Sequence, residues 1–304
     1  MIDVHQLRVF VAVAENLSFT RAAERLFLTQ SAVSHQIAKL ERDVGGLLLE
    51  RLGRTVALTA AGREIAHHAR RVFAALEEAE TAARSAARPG TGRLRIGASA
   101  TACQYIIPEA LREFRECFPG YSLSITPADS IETAELLLSG QVDLGIMVRL
   151  ERQKKLAYHD LFADELFFLV SPLHLWAKAG RVDRRQLAEQ HMVLYNRNST
   201  TFRLVERYLL KMGAPLRDWI DLGDMGAIKE LVKLGLGVSV TAEWITRPEV
   251  AEKSLILLPV PGARLKRTWS IACTTSRELS VAEQTFIGLC QAVADQLVPS
   301  TAAS

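Results

Sequence analysis

Residues 18–42, SFTRAAERLFLTQSAVSHQIAKLER, decide how this chain is read. Phe19, Ala22, Ala23 and Leu26 recur at i, i+3, i+4 and i+7, the apolar stripe of a helix. Ser18 stands just ahead of that stripe as its N-cap. A short break at Phe27, Leu28 and Thr29 follows, and Thr29 can cap what comes next. In the second helix Val33, Ile37, Leu40 and Val44 form the buried stripe, while Gln30, Ser31, Ser34, His35, Ala38, Lys39 and Arg42 fill the other face. Ala22 and Ala23 are small enough to let two helices cross closely. A steep pair with a small polar face on its second helix is the helix-turn-helix, which lays a recognition helix in the DNA major groove. A helical hairpin inside a bundle would share the apolar spacing, so the flanking residues must discriminate.

They favour DNA. Residues 4–15 form a third helix with Leu7, Phe10, Val11 and Ala14 on one face to complete a small core. After the pair, two short apolar runs (47–51 and 56–59) flank Leu52-Gly53-Arg54-Thr55 and read as a hairpin, the wing of a winged helix. Arg51 and Arg54 near its tip are placed to meet phosphates or the minor groove.

The order of these elements, with the runs AAERLFLTQSAVSHQIAKLE (22–41) and LLLERLGRTVALTAAG (47–62), resembles the N-terminal domain of LysR-type transcriptional regulators. Matching positions include Ala22, Ala23, Leu26, Thr29, Gln30, Ser31, Ser34, Ile37, Leu40, Glu41, Arg51, Leu58, Thr59 and Gly62. The usual Leu-Phe-x-Arg ahead of the wing is Leu48-Leu49-Glu50-Arg51 here, and Gly45-Gly46 replaces a more typical Leu-Gly. The resemblance implies a winged helix-turn-helix over 1–58, a dimerisation helix over 59–88 and an effector-binding domain over 89–304. Expected DNA contacts are Thr29, Gln30, Ser31, Ser34, His35, Lys39, Arg51 and Arg54. The implied partners are double-stranded DNA with an interrupted palindromic operator, a small-molecule effector, further copies of the chain as dimer and homotetramer, and RNA polymerase for an activator.

Composition agrees. A chain of 304 residues holds two or three domains with cores of their own. Its apolar residues are dispersed, and no run of about 20 could span a bilayer. The start lacks the basic segment and apolar block of a secretory signal, which makes a cytoplasmic location the expectation. Cys103, Cys117, Cys273 and Cys290 show no C-x-x-C spacing and no disulfide framework, as expected of reduced thiols. A net charge of +3 is too small for bulk attraction, so DNA affinity must come from a few placed charges.

From Thr59 a long helix is predicted to about residue 87. Ile65, Ala69, Val72, Leu76, Ala79, Ala83 and Ala86 repeat at alternating spacings of four and three, the seam of a two-helix coiled coil. A buried helix of one globular domain is the competing reading. The flanking charges Arg70, Arg71, Glu77, Glu78, Glu80 and Arg84 leave only a narrow apolar stripe and argue against it. Residues 88–92, RPGTG, end the helix and supply a flexible joint.

Beyond residue 93 strand alternates with helix. Strands are predicted at 94–98, 123–125, 140–148, 166–170, 192–195, 238–241 and 268–273. Helices are predicted from the first strand through 118, then at 131–139, 202–212, 227–234 and 281–297. This α/β alternation implies doubly wound sheets. Two lobes joined by crossing strands near 162–164 and 266–268 make a periplasmic-binding-protein-like clamshell, in agreement with the family. Lobe I takes about 93–163 and 268–304, and lobe II about 164–267.

Ligands of open α/β sheets lie at the carboxyl ends of the strands, where helix N-termini point. Ser99, Ala100 and Thr101 follow the first strand, and Asn198, Ser199, Thr200 and Thr201 follow the 192–195 strand. Both segments offer hydroxyls and unpaired backbone N–H groups, a site for a small anion or carboxylate. Ser130, Arg149, Asp224 and Met225 come from other strand ends and would line the rim. The same Ser and Thr residues would serve equally as plain helix caps.

Enzyme readings find little support. His67 and His68 are neighbours on a helix and point apart. No H-x-x-x-H, C-x-x-C, Gly-x-Ser-x-Gly or P-loop occurs, so no metal or cofactor is expected. Gly235-Leu236-Gly237 precedes a strand rather than following one, the wrong context for a dinucleotide. Cys103 has no evident resolving partner and reads as a packed thiol. A cytosolic binding protein or enzyme with an appended helical domain is the alternative, but it would have no use for a winged helix.

Overall fold

The computed structural model describes residues 2–52, 55–87, 90–151 and 153–298. The chain forms two compact units, one built essentially from the residues through Ala87 and one from those beyond it.

In the first unit, α1 (Val4–Asn16) opens with a capping box. The Asp3 carboxylate accepts from the His5 N–H, and the Gln6 side chain accepts from the Asp3 N–H. α2 (Phe19–Leu26) is capped by Ser18 and α3 (Gln30–Val44) by Thr29, as the sequence predicts. The turn between them needs the left-handed conformation at Phe27 (φ 56°), whose side chain stands in solvent. Val9, Phe10 and Val13 pack with Ala22, Ala23, Val33, Ile37 and Leu40 in one buried cluster. β1 (Leu49–Leu52) and β2 (Thr55–Leu58) pair antiparallel, with Leu52 opposite Thr55. Glu41 fixes this hairpin to α3, because its Oε1 accepts from the N–H groups of Leu48 and Leu49 at 2.8 and 3.2 Å.

α4 (Ala60–Ala87) follows. Thr59 Oγ1 accepts from the Gly62 N–H and donates to the Leu47 carbonyl. A side chain at Gly62 would put its Cβ 2.0 Å from the Leu48 carbonyl oxygen, so only glycine fits there. Ala66 and Ala69 are buried in the core of this unit, with Ile65 and Phe73 packed against it. The expected seam is therefore divided. Ile65 and Ala69 face their own domain, whereas Val72 and Leu76 are 41% and 44% exposed.

The second unit carries a seven-stranded sheet. β3 (Thr91–Ala98) pairs in parallel with β4 (Gly120–Pro127) and with β5 (Leu144–Val148). The helix expected between β3 and β4 is broken at Ile106 into α5 (Ala100–Tyr105) and α6 (Ile107–Cys117). Pro108 has no N–H to continue the ladder, and α6 restarts with it in the first turn. α7 (Ser130–Leu138) leads to β5. β6 (Leu156–Val170) is one strand of 15 residues, much longer than the apolar run predicts, because its first half alternates with polar residues. α8 (Leu175–Ala179), β7 (Met192–Tyr195), α9 (Thr200–Lys211), β8 (Trp219–Leu222), α10 (Met225–Lys233), β9 (Ser239–Ala242), α11 (Glu243–Ala251) and β10 (Ile256–Pro259) build the other lobe. β11 (Leu265–Thr274) then returns along β6, and α12 (Val281–Leu297) closes the fold at its predicted bounds.

β11 pairs antiparallel with β6 from Leu265↔Leu166 to Thr274↔Leu156, with a register shift between Trp269 and Ser270. At one end of this ribbon β5 joins β11, and at the other β9 and β10 join β6. β7 and β8 form a separate parallel pair, touching Val238 by one bridge from Met192. Two α/β lobes thus share two strands. Sequence reading missed α8, β8, α11 and β10, which are short and lack a clean period. Among the described residues no helix is long and apolar enough to cross a membrane.

Candidate DNA-binding surface and effector site

On α3, Gln30, Ser31, His35 and Lys39 are exposed, with Thr29 beside them at the N-cap. The buried stripe of Val33, Ile37 and Leu40 holds that face outward. The Thr29 hydroxyl accepts from the Ala32 N–H and meets the Ser31 hydroxyl at 3.0 Å, so the start of the helix is fixed. Ser34 is half-buried in a groove of about 550 Å³ between α3 and the hairpin, bordered by Phe19, Ala38, Glu41 and Leu47. Arg54 and the Arg51 side chain lie outside the described residues. A rigid helix with short polar side chains at its exposed N-terminal end fits the major groove, whose base edges it can read.

In the second unit a cavity of about 500 Å³ is lined by Ile131, Leu150, Thr200, Arg203, Glu206 and Arg207. Ile131 lies on α7 and Leu150 follows β5, in one lobe, while the other four come from α9, in the other. Thr200 begins α9, and its buried Oγ1 has no hydrogen-bond partner. Of the expected residues the cavity lining holds Thr200 alone. Arg203 and Arg207 sit three and seven residues after it, a helical spacing that the sequence carries.

Several expected contacts have structural duties. Ser99 caps α5 by accepting from the Ala102 N–H at 3.2 Å, and Ser199 caps α9 by accepting from the Phe202 N–H at 3.0 Å. Asp224 caps α10, and Met225 is buried with its sulfur 3.9 Å from the Thr241 hydroxyl. Ala100 is exposed, Asn198 donates its backbone N–H to Asn196, and Thr101 and Ser130 are buried. The Arg149 guanidinium is taken by Asp160, at 2.8 and 3.0 Å, with the Tyr158 ring beneath it. It is not the unpaired cleft cation that the sequence suggests. Thr201 Oγ1 accepts from Arg267 Nη1 at 2.7 Å.

Arg267 belongs to a buried cluster that sequence reasoning missed. Across the β6–β11 ribbon, Arg267 faces Asp164, and both are less than a tenth exposed. Burial opposes the guanidinium charge, but the Asp164 carboxylate outweighs it and holds the Arg267 pKa above its ordinary value. Burial pushes the Cys103 thiol up, and its Sγ donates to the Ala98 carbonyl, as suits a packed rather than reactive cysteine. Among the described residues no group of three His, Cys, Asp or Glu is placed to hold a metal.

A winged helix on one unit, and a strand-sharing pair of α/β lobes around a cavity on the other, define a ligand-responsive transcriptional regulator. Residues 4–63 match the family model of the bacterial regulatory helix-turn-helix protein, lysR family, and residues 87–295 match the LysR substrate binding domain. The chain therefore belongs to the LysR-type transcriptional regulators, sequence-specific DNA-binding proteins rather than enzymes. It is 32% identical to the RuBisCO operon transcriptional regulator of Allochromatium vinosum, over 94% of each chain. Identity to the HTH-type transcriptional activator CmpR of Synechocystis is 28%, over 93% of each. Among solved structures, ArgP from Mycobacterium tuberculosis has a TM-score of 0.70 at 22% identity, covering 97% of this chain and 98% of that one. Full-length CbnR in complex with its target DNA has a TM-score of 0.64 at 24% identity, covering 96% and 100%.

Proposed function

We propose that this regulator reads an interrupted palindromic operator with paired α3 helices, held by α4 of two copies, and responds to a small anion between its lobes. The observation that carries the effector reading is the cavity itself. It brings the unpartnered Thr200 hydroxyl, at the start of α9 where backbone N–H groups also point, into one lining with Arg203 and Arg207, about one and two turns further along the helix. The two guanidiniums outnumber the one carboxylate of the lining, Glu206, and with the hydroxyl and N–H donors they suit a carboxylate or oxoanion better than a sugar or a cation. Ser99, Ala100, Thr101 and Ser130 belong to the facing lobe and come into play as the lobes close on the ligand. Effector binding would favour one lobe geometry and so bias the spacing of the winged helices, a shift of populations rather than a new fold. The exposure of Val72 and Leu76 on α4 supports pairing into a dimer, and a homotetramer would follow the family pattern.

The test is a thermal-shift and calorimetric screen of the full-length protein with acetate, oxalate, succinate, phosphate and sulfate, against glucose as a neutral control. Anions that raise the melting temperature should lose roughly ten- to a hundredfold in affinity with Thr200→Ala or Arg203→Ala, as for a hydrogen bond to a charged group. Operator binding without ligand should be unchanged. If Thr200→Ala and Arg203→Ala bind as the parent does, the cavity is not the effector site.

A further inference from the structure

The cavity between the lobes has two chemically different walls. α9 contributes Thr200, Arg203, Glu206 and Arg207, and the facing wall is apolar, formed by Ile131 and Leu150. Thr200, Arg203 and Arg207 stand at i, i+3 and i+7, so they share one line along the helix. Glu206, at i+6, lies off that line, about a sixth of a turn beyond Arg203. The Arg207 Nε donates to the Arg203 carbonyl at 3.3 Å, which leaves its two Nη nitrogens for another acceptor. Both arginines are exposed, and among the described residues neither has a carboxylate partner. Other arginines of the two lobes are neutralised. Arg149, the chain neighbour of Leu150, is taken by Asp160, and Arg267 is taken by Asp164. Like charges four residues apart repel each other on a helix, so Arg203 and Arg207 bring α9 no stability of their own.

We infer that the effector is a linear dianion lying along α9. One anionic group meets the Thr200 hydroxyl, the first N–H groups and Arg203, the second meets Arg207, and an apolar chain between them rests on Ile131 and Leu150. The inference rests on the effector placement proposed above and names the class of ligand that this site takes. Spacing sets the length. Four residues advance a helix by about 6 Å, so the second anionic position stands that far beyond the first. Glutarate and adipate can reach it, whereas oxalate is too short. A cavity of about 500 Å³ has room for such a molecule. An α-amino acid would instead need Glu206 for its ammonium group, which a dianion does not.

The test is calorimetry on the full-length protein at neutral pH with oxalate, succinate, glutarate and adipate. Butyrate, pentanoate and hexanoate serve as single-charge counterparts of the last three. Glutarate or adipate should bind the parent about tenfold more tightly than its counterpart, and more tightly than oxalate, because the second carboxylate gains a charge-assisted bond. Arg207→Gln, which keeps a polar side chain without the charge, should lose that advantage, and Arg207→Lys should retain most of it. A merely structural part for Arg207 would shift the melting temperature and leave the advantage in place. Glu206→Gln should bind the dianions at least as tightly as the parent does. Weaker binding there would assign a cationic group to the ligand and overturn the inference. It is also overturned if the parent binds none of the series, if monocarboxylates bind as tightly as dianions, or if Arg207→Gln keeps the advantage. Where Thr200→Ala still weakens anion binding in the same assay, the cavity reading stands and only the double charge is lost. If Thr200→Ala and Arg203→Ala bind every anion as the parent does, the placement itself falls and this inference falls with it.

Discussion

Lys229 shows how a single residue joins the lobes. Its ammonium lies 2.6 Å from the Glu249 carboxylate of α11 and donates to the Tyr105 hydroxyl of α5 at 3.2 Å, and Tyr105 donates in turn to the Ile245 carbonyl. Lys229 is 8% exposed and Glu249 9%. Burial opposes both charges, yet their mutual hydrogen bond outweighs it, raising the Lys229 pKa and lowering that of Glu249. The sign follows from linkage. Stability from Glu249 is present above the ordinary value of 4.5 and is lost as pH falls through its lower folded value. Stability from Lys229 is present below 10.5 and is lost as pH rises through its higher folded value. Lys229→Met should therefore cost about 3–5 kcal/mol near neutral pH, because it strands a buried carboxylate. In urea melts the gap from the parent should narrow as pH is lowered below 4.5. A gap independent of pH would mean that lost packing, not charge, sets the cost. At this scale the caps were legible, since Ser18, Thr29 and Ser99 act on backbone within three residues of themselves. Partners such as Lys229 and Tyr105, separated by 124 positions, leave no local trace in the sequence.

Among the elements, helices with a clean apolar period are legible in the sequence, whereas the apolar runs of strands understate their length. α3 and α12 follow the predicted stripes, whereas β6 and β11 extend into polar residues that pair with each other rather than with the core. α4 carries both outcomes. Its apolar repeat is legible, but the sequence cannot tell that Ala69 is already buried by its own domain. Under the proposed pairing of two copies, the contact would fall to Val72 and Leu76, the exposed large apolar residues among the described side chains of the helix. Leu76→Glu should yield a smaller species in sedimentation, with weakened operator binding, because one winged helix reads only a half-site. Full assembly with full affinity would contradict that pairing. On α3, Gln30→Ala should cost roughly 1–3 kcal/mol at the operator and relax sequence preference, whereas Lys39→Ala should weaken all sequences alike and flatten the salt dependence. Unaltered base preference in a selection of random duplexes would place Gln30 away from base edges.

For the molecule as a whole, the shared ribbon of β6 and β11 has a thermodynamic consequence. β6 begins in one sheet region, beside β11 and near β5, and ends in the other between β9, β10 and β11. Neither lobe can melt without withdrawing a strand from its neighbour, and one continuous apolar cluster runs from Leu94 and Ile96 of β3 to Val193 of β7. The two lobes should therefore behave as one cooperative foldon, despite looking like two. Deuterium exchange would show this directly. The amides of both halves of β6 should fall into a single slow class governed by the same global opening, with equal dependence on denaturant. A lobe expressed alone should stay unfolded for want of its borrowed strand. Protection that differs by more than about 1 kcal/mol between the two halves would mean that the lobes open separately. Evolution could then vary the cavity on α9 freely, since the stability of that lobe is underwritten by residues in the other.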